Sequence, residues 1–95
     1  MNSGGAEAFK ELADCFFYWK KDILYSIQLY SKAISINPDY YQAYLGRAQC
    51  YEQSDPPLKT KAVSDYVTAL KINPDAKDIY NTKSPLLEMV RIRRK

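Results

Sequence analysis

Few residues in this chain of 95 could carry acid–base or nucleophilic chemistry. The chain contains no histidine, the side chain most often used as a general base near neutral pH. Glu7, Glu11 and Asp14 recur at helical spacing, which is typical of a solvated helix face rather than of paired catalytic acids. We therefore expect the chain not to be an enzyme.

The two cysteines, Cys15 and Cys50, are each flanked by core-type residues, so both are predicted to be buried. Burial disfavours the thiolate, which is the reactive form of the side chain. A disulfide or a shared metal ion is the less favoured alternative. The sequence has no glycine-rich phosphate loop and no cluster of metal-ligating residues, and we expect neither a cofactor nor a metal.

Positive charge is concentrated at the C-terminus, where four of the last five residues are basic. The rest of the chain carries ten basic and eleven acidic side chains. Such a tail could attract RNA or an anionic membrane, but basic residues in a last helical turn also complement the helix dipole. Because no aromatic residue is interleaved with them, nucleic acid is the less favoured partner.

Composition favours one small folded domain. A hydrophobic fraction of 46%, with 14% aromatic residues, is enough to build a core. No apolar run approaches the length of a membrane span, and residues 1–8 lack the apolar segment of a signal peptide. We expect an intracellular, cytoplasmic protein.

The elements that position these side chains are predicted to be helices. Apolar residues recur at three and four over residues 6–20, 23–36, 39–53 and 58–72. Asp22 is placed to cap the second helix, and Asp39 with Gln42 has the spacing of a capping box for the third. Beyond residue 75, Ser84 and Pro85 predict either a kink or a division into two short helices.

The chain also contains an internal repeat. Residues 30–39 return thirty-six positions later as residues 66–75, with six of ten identical. A second set of repeated positions, at a spacing of thirty-five, relates Ala8, Phe9, Ala13, Cys15 and Phe16 to Ala43, Tyr44, Ala48, Cys50 and Tyr51. A repeat of this length predicts a helical hairpin stacked on its copy, which is the architecture of a binding scaffold.

These residues resemble the tetratricopeptide repeat (TPR) family, whose hairpins combine small and aromatic positions with a closing proline. The first repeat offers Phe9, Leu12, Ala13, Phe16, Ser26, Tyr30, Ala33 and Pro38. The second offers Tyr44, Arg47, Ala48, Tyr51, Ala62, Tyr66, Ala69 and Pro74. The turn between the helices of each pair lacks the family's usual glycine.

The resemblance implies an all-α fold, a right-handed superhelical stack of antiparallel helix pairs with five or six helices. It divides the chain into a disordered segment 1–5, repeats over 6–38 and 39–74, and a C-terminal capping helix over 75–95 that carries the basic tail. It also implies a protein-interaction scaffold or adaptor, which binds a peptide or a partner helix in a concave groove formed by the first helices. The predicted groove residues are Glu7, Lys10, Asp14, Phe17, Gln42, Leu45, Gln49, Glu52 and Gln53.

An alternative is the family's co-chaperone subtype, which grips the C-terminal carboxylates of cytosolic heat-shock chaperones. Lys10 matches a lysine of that carboxylate clamp. Asp14 and Gly46 stand where the subtype has asparagines, and Asp78 and Thr82 stand where it has a lysine and an arginine. These differences predict that the clamp is absent and that the groove binds a different, internal peptide or protein surface.

Self-association is a further expectation. The C-terminal segment supplies more apolar surface than one helix needs to bury, through Leu86, Leu87, Met89, Val90 and Ile92. We predict a weak homodimer or a repacked C-terminal segment.

Overall fold

Six helices make up the regular structure of residues 3–93, the part of the chain that the computed structural model describes. They are α1 (Ser3–Tyr18), α2 (Ile23–Ile36), α3 (Tyr41–Gln53), α4 (Lys59–Ile72), α5 (Lys77–Asn81) and α6 (Pro85–Arg93). The same residues contain no strand, which confirms the all-α prediction. None of these helices combines the length and the apolar character needed to cross a membrane.

The first helix begins earlier than expected. Residues 3–5 are helical rather than disordered, while Met1 and Asn2 lie outside the described residues. Ala6 is fully buried, and a Cβ atom on Gly5 would lie 3.7 Å from Cδ1 of Ile36 at the end of α2. Packing of this first turn against α2 therefore offsets the low helix propensity of glycine.

One of the two predicted helix caps is present. The Asp22 carboxylate accepts the backbone N–H of Tyr25 at 3.2 Å, which confirms its role at the start of α2. Asp39 does not cap α3, and that prediction is wrong. The Asn37 side chain accepts the Asp39 N–H at 3.2 Å, and the Asn37 carbonyl accepts the N–H of Tyr40 at 3.1 Å. This turn delays the start of α3 to Tyr41, beyond the reach of the expected capping box.

The helices pack in consecutive pairs, α1 with α2 and α3 with α4, and α2 also lies against α3. The first core cluster joins α1, α2 and one face of α3 through Ala6, Ala13, Phe17, Leu29, Tyr30, Ala33, Ala43 and Cys50. The second joins α3 and α4 to the C-terminal residues through Leu45, Ala48, Ala62, Tyr66, Ala69, Leu70, Ala76, Ile79, Leu87 and Val90. Helix α3 thus contributes to both clusters.

An ion pair joins the two helices of the second pair, and its arginine also reaches the first pair. Arg47 on α3 donates from Nε to Asp65 Oδ2 at 2.7 Å and from Nη2 to Asp65 Oδ1 at 2.9 Å. Its Nη1 donates to Ser31 Oγ on α2 at 3.0 Å. The guanidinium also lies 5.8 Å from the ring centre of Tyr44 and 5.7 Å from that of Tyr51. One side chain therefore connects α2, α3 and α4.

The C-terminal segment consists of two short helices, one of the two outcomes that the sequence allowed. Ser84 Oγ accepts the N–H of Leu87 at 3.2 Å, so Ser84 caps α6 and Pro85 is its first residue. Helix α6 packs on α4, which buries Leu87 and Val90. Met89 and Ile92 remain exposed on α6, and the homodimer stays a prediction.

The two cysteines occupy different environments, although the repeat predicted that both would be buried. Cys50 is fully buried in the first core cluster, whereas Cys15 is exposed. The face of α3 that carries Cys50 packs against the first helix pair. Within the described residues no helix covers the corresponding face of α1, so repeat symmetry in sequence does not produce equal burial.

We expect iodoacetamide at pH 8 to modify Cys15 quickly and to leave Cys50 unmodified in the folded protein. Burial, with a smaller contribution from the charge of Asp14, raises the pKa of the Cys50 thiol to about 12, so little thiolate forms at that site. Mass spectrometry should find one adduct per folded chain and two in denaturant. Equal native labelling of both cysteines would contradict the burial of Cys50.

Candidate functional site

A cavity of about 180 Å³ lies where α1, α3 and the α5 region meet. Its lining residues are Lys10, Asp14, Tyr18, Tyr30, Gln42, Leu45, Gly46, Gln49, Asp78 and Thr82. Five of the predicted groove residues are among them, namely Lys10, Asp14, Gln42, Leu45 and Gln49. We refer to this lining set as the groove.

The position of Tyr30 in the groove lining depends on Gly46. A Cβ atom at this position would lie 2.6 Å from Cε1 and 2.7 Å from the hydroxyl oxygen of Tyr30, closer than real contacts allow. The Tyr30 ring therefore lies directly against the α3 backbone, and its hydroxyl donates to Asp14. Burial, followed by the hydrogen bond to Asp14, raises the pKa of the Tyr30 phenol far above its ordinary value. The phenol is consequently a fixed donor to the Asp14 carboxylate.

Among residues 3–93, Lys10 supplies the only ammonium group that lines the groove, and this group is already paired. Lys10 Nζ lies 2.8 Å from Asp14 Oδ2, one helical turn along α1. Burial alone would lower the pKa of Lys10, but the hydrogen bond and the negative charge of Asp14 outweigh it and raise the pKa. Lys10 therefore stays charged and its charge is largely balanced by Asp14.

Carboxylates dominate the remaining charge near the groove. Asp78 lines it and accepts hydrogen bonds from the Tyr41 hydroxyl at 2.9 and 3.1 Å. Burial raises the pKa of the Tyr40 phenol, and although Lys10 acts in the opposite direction, Glu7 and Glu11 raise it further. The negative charges of Glu7 and Glu11 therefore act on Tyr40 at the start of α3, beside the groove. The lining of the groove therefore carries two carboxylates and one ammonium group.

Four predicted groove residues do not line the cavity. Glu7 and Gln53 are exposed, and Gln53 instead lines a second cavity at the turns between paired helices. Phe17 is 5% exposed and belongs to the first core cluster, so its predicted exposure was wrong. Glu52 accepts hydrogen bonds from the Tyr66 hydroxyl at 2.7 Å and from Ser84 Oγ at 2.7 Å, and thereby ties α3 to α4 and to the start of α6.

The groove also includes residues that the predicted set omitted. Gly46, Asp78 and Thr82 were identified only through comparison with the carboxylate clamp, and the structure brings all three to this cavity. No feature of the sequence indicated that Tyr18 and Tyr30 would line the groove. Tyr30 belongs to the core pattern of α2, and Tyr18, at the end of α1, donates weakly to Gln49 Oε1 at 3.5 Å.

Polar groups in the groove remain able to bind a ligand. The Gln42 amide makes no hydrogen bond to any side chain or backbone group of residues 3–93, and it offers both a donor and an acceptor. Gln49 has an equivalent amide, and Leu45 adds an apolar surface between them. Amides that both donate and accept are suited to the backbone of an extended peptide.

Comparison with known proteins gives a partial similarity. No known protein family and no solved structure matches the chain. Among curated proteins, the chain is similar to Protein O-mannosyl-transferase TMTC3 of Mus musculus, with 36% identity over 63 residues. These residues are 65% of this chain and 7% of that protein, so the chain matches only a small part of its relative.

Proposed function

We propose that the chain is a non-catalytic, TPR-type interaction module whose groove binds an extended peptide segment of a partner protein. The internal repeat, the consecutive helix pairs and the partial similarity to the mouse protein support a superhelical stack of two repeats with a C-terminal cap. The observation that carries the proposal is the groove itself. Residues chosen from the repeat pattern on two helices come together in one cavity with available amide groups.

The charge of the groove favours a basic ligand. Asp14 and Asp78 line it, and Glu7 and Glu11 lie close enough to act on Tyr40, whereas Lys10 is the one ammonium in the lining and is paired. A lysine or arginine side chain of a peptide could pair with the Asp78 carboxylate, whose side-chain hydrogen bonds come from the neutral Tyr41 hydroxyl. We therefore propose an internal segment with at least one basic residue as the ligand.

The alternative of a carboxylate clamp has less support. Its positions do gather in the groove, but Asp14 neutralises Lys10, Gly46 provides no side chain, and Asp78 and Thr82 replace two cations. A terminal carboxylate would therefore be repelled by Asp78 and would have to compete with Asp14 for Lys10.

Replacement of Asp78 by asparagine tests the basic-ligand proposal. We expect fluorescein-labelled octapeptides with two arginines among alanine and serine to bind in fluorescence anisotropy, and glutamate-containing counterparts not to bind. Asp78→Asn should weaken binding about tenfold, because it removes one charge-assisted interaction while it keeps an oxygen for Tyr41. Added salt should weaken binding as well.

Asp75→Asn is the matched control, because Asp75 is exposed and does not line the groove. It makes the same change in net charge and should leave affinity within about twofold. Equal effects of the two variants would show that the peptide responds to overall charge alone. Tight binding of a chaperone C-terminal peptide that is lost in Lys10→Ala would support the clamp instead.

A further inference from the structure

The connections between paired helices form a second concave surface, separate from the groove. Residues 19–22 join α1 to α2, and residues 54–58 join α3 to α4. Together with the adjoining residues they border an open cavity of about 620 Å³. Its lining residues are Lys20, Lys21, Asp22, Ile23, Leu24, Gln53, Ser54, Asp55, Pro56 and Leu58. We call residues 19–25 and 53–61 the turn edge.

Large apolar side chains are exposed on the turn edge. Trp19 is 82% exposed and Leu24 is 70% exposed. Leu58 is 39% exposed. Leu24 and Leu58 come from different helix pairs and both line the cavity, so the exposed surface is continuous across the two connections.

The repeat provides an internal control for these residues. At a spacing of thirty-five, Trp19 corresponds to Ser54. At a spacing of thirty-six, Leu24 corresponds to Thr60. The second helix pair forms with polar side chains at these positions, so the fold does not require apolar ones there. Exposed apolar groups that the fold does not require are typical of an interaction surface.

Positive charge surrounds this apolar surface. The turn edge carries Lys20, Lys21, Lys59 and Lys61, none of which forms an ion pair within residues 3–93. Its two carboxylates are those of Asp22 and Asp55, and that of Asp22 already caps α2. Helix α4 also begins at the turn edge, and its first turn has no side-chain cap and no acidic residue. Both features favour a ligand that carries carboxylates.

We propose that the turn edge docks an amphipathic, acidic segment of a partner protein. Apolar side chains of that segment occupy the cavity between Leu24 and Leu58, and its carboxylates face the lysines. The concave shape favours a protein segment over a lipid surface, because individual side chains can enter a cavity and a bilayer surface cannot. This surface is independent of the groove, so the module has two binding sites of opposite charge preference.

Trp19 provides the measurement, because it is the single tryptophan of the chain. The probe is a synthetic peptide with leucines spaced three and four apart and glutamates elsewhere. We expect a saturable blue shift of the tryptophan emission as this peptide covers the turn edge. Leu24→Thr, which introduces the residue found at the equivalent position of the second repeat, should weaken binding about tenfold.

Ile92→Thr is the matched control, since Ile92 is a similarly exposed apolar residue on α6 at 62%. It should leave the titration unchanged, as should Asp78→Asn in the groove. The proposal is overturned if no shift occurs up to about 1 mM peptide, a weak limit for a specific site. Equal binding of a lysine-for-glutamate peptide, or equal effects of Leu24→Thr and Ile92→Thr, would also overturn it. A shift with phosphatidylserine vesicles but not with the peptide would identify a membrane surface instead.

Discussion

Replacement of Arg47 by methionine is expected to lower the free energy of unfolding by about 3–5 kcal/mol. Asp65 is 5% exposed, and its carboxylate accepts two hydrogen bonds from Arg47. Methionine keeps much of the side-chain volume but leaves this buried carboxylate without a partner. The loss should appear in urea denaturation as a lower midpoint with an unchanged slope.

Two further variants separate charge burial from packing. Arg47→Met combined with Asp65→Leu should recover most of the lost stability, because an apolar pair has no buried charge. Arg91→Met removes an ion pair with Glu88 at 3.2 Å, whose carboxylate side chain is 60% exposed, and should cost less than about 1 kcal/mol. If Arg47→Met behaves like Arg91→Met, the pair with Asp65 does not stabilise the packing of α3 on α4.

The sequence correctly predicted where α2 and α4 end, because the residues next to each end determine it. Asn37 and Pro38 end α2 where expected, and Asn73 and Pro74 end α4 in the same way. The small residues of the repeat, Ala13, Ala33, Ala48 and Ala69, are all fully buried as predicted. These features depend on residues within one or two turns of each other, which a pattern of apolar positions can report.

Features that depend on contacts between helices could not be predicted in this way. The partner of Arg47 is eighteen residues away on another helix, and no spacing rule connects the two. Cys15 was predicted to be buried from its copy Cys50, but burial depends on which helix lies on that face. Repeat symmetry therefore predicts which residues face outward from a helix pair. Whether those residues are buried depends on whether another helix packs against that face.

The groove was predicted only in part for the same reason. Asp14 and Phe17 are three residues apart on α1 and were both assigned to the groove, yet Asp14 lines it and Phe17 lies in the core. A helix that contacts two neighbours has a broad buried face, so one helical step does not separate groove from core. Glu52 was assigned to the groove as well, but its partner Ser84 is thirty-two residues further along the chain.

Alanine substitutions at two helical glycines are expected to change stability in opposite directions. Gly46→Ala should lower the free energy of unfolding by about 2–3 kcal/mol, because the new methyl group would overlap the fully buried Tyr30 ring. Gly5→Ala should raise it by about 0.5–1 kcal/mol, because alanine is the better helix former. A Cβ atom at Gly5 has an ordinary contact with Ile36, so no strain opposes that gain.

The cause of the Gly46 effect can be isolated with Tyr30. Tyr30→Ala alone should cost about 3–5 kcal/mol through the cavity it leaves. Combined with Gly46→Ala, it should cost clearly less than the sum, because the methyl group then enters space that the ring has vacated. Thermal and urea unfolding of the four proteins measures this coupling. Additive costs would mean that the Gly46 backbone and the Tyr30 ring are not in contact, and the shape of the groove between Asp14 and Gln49 would then have a different origin.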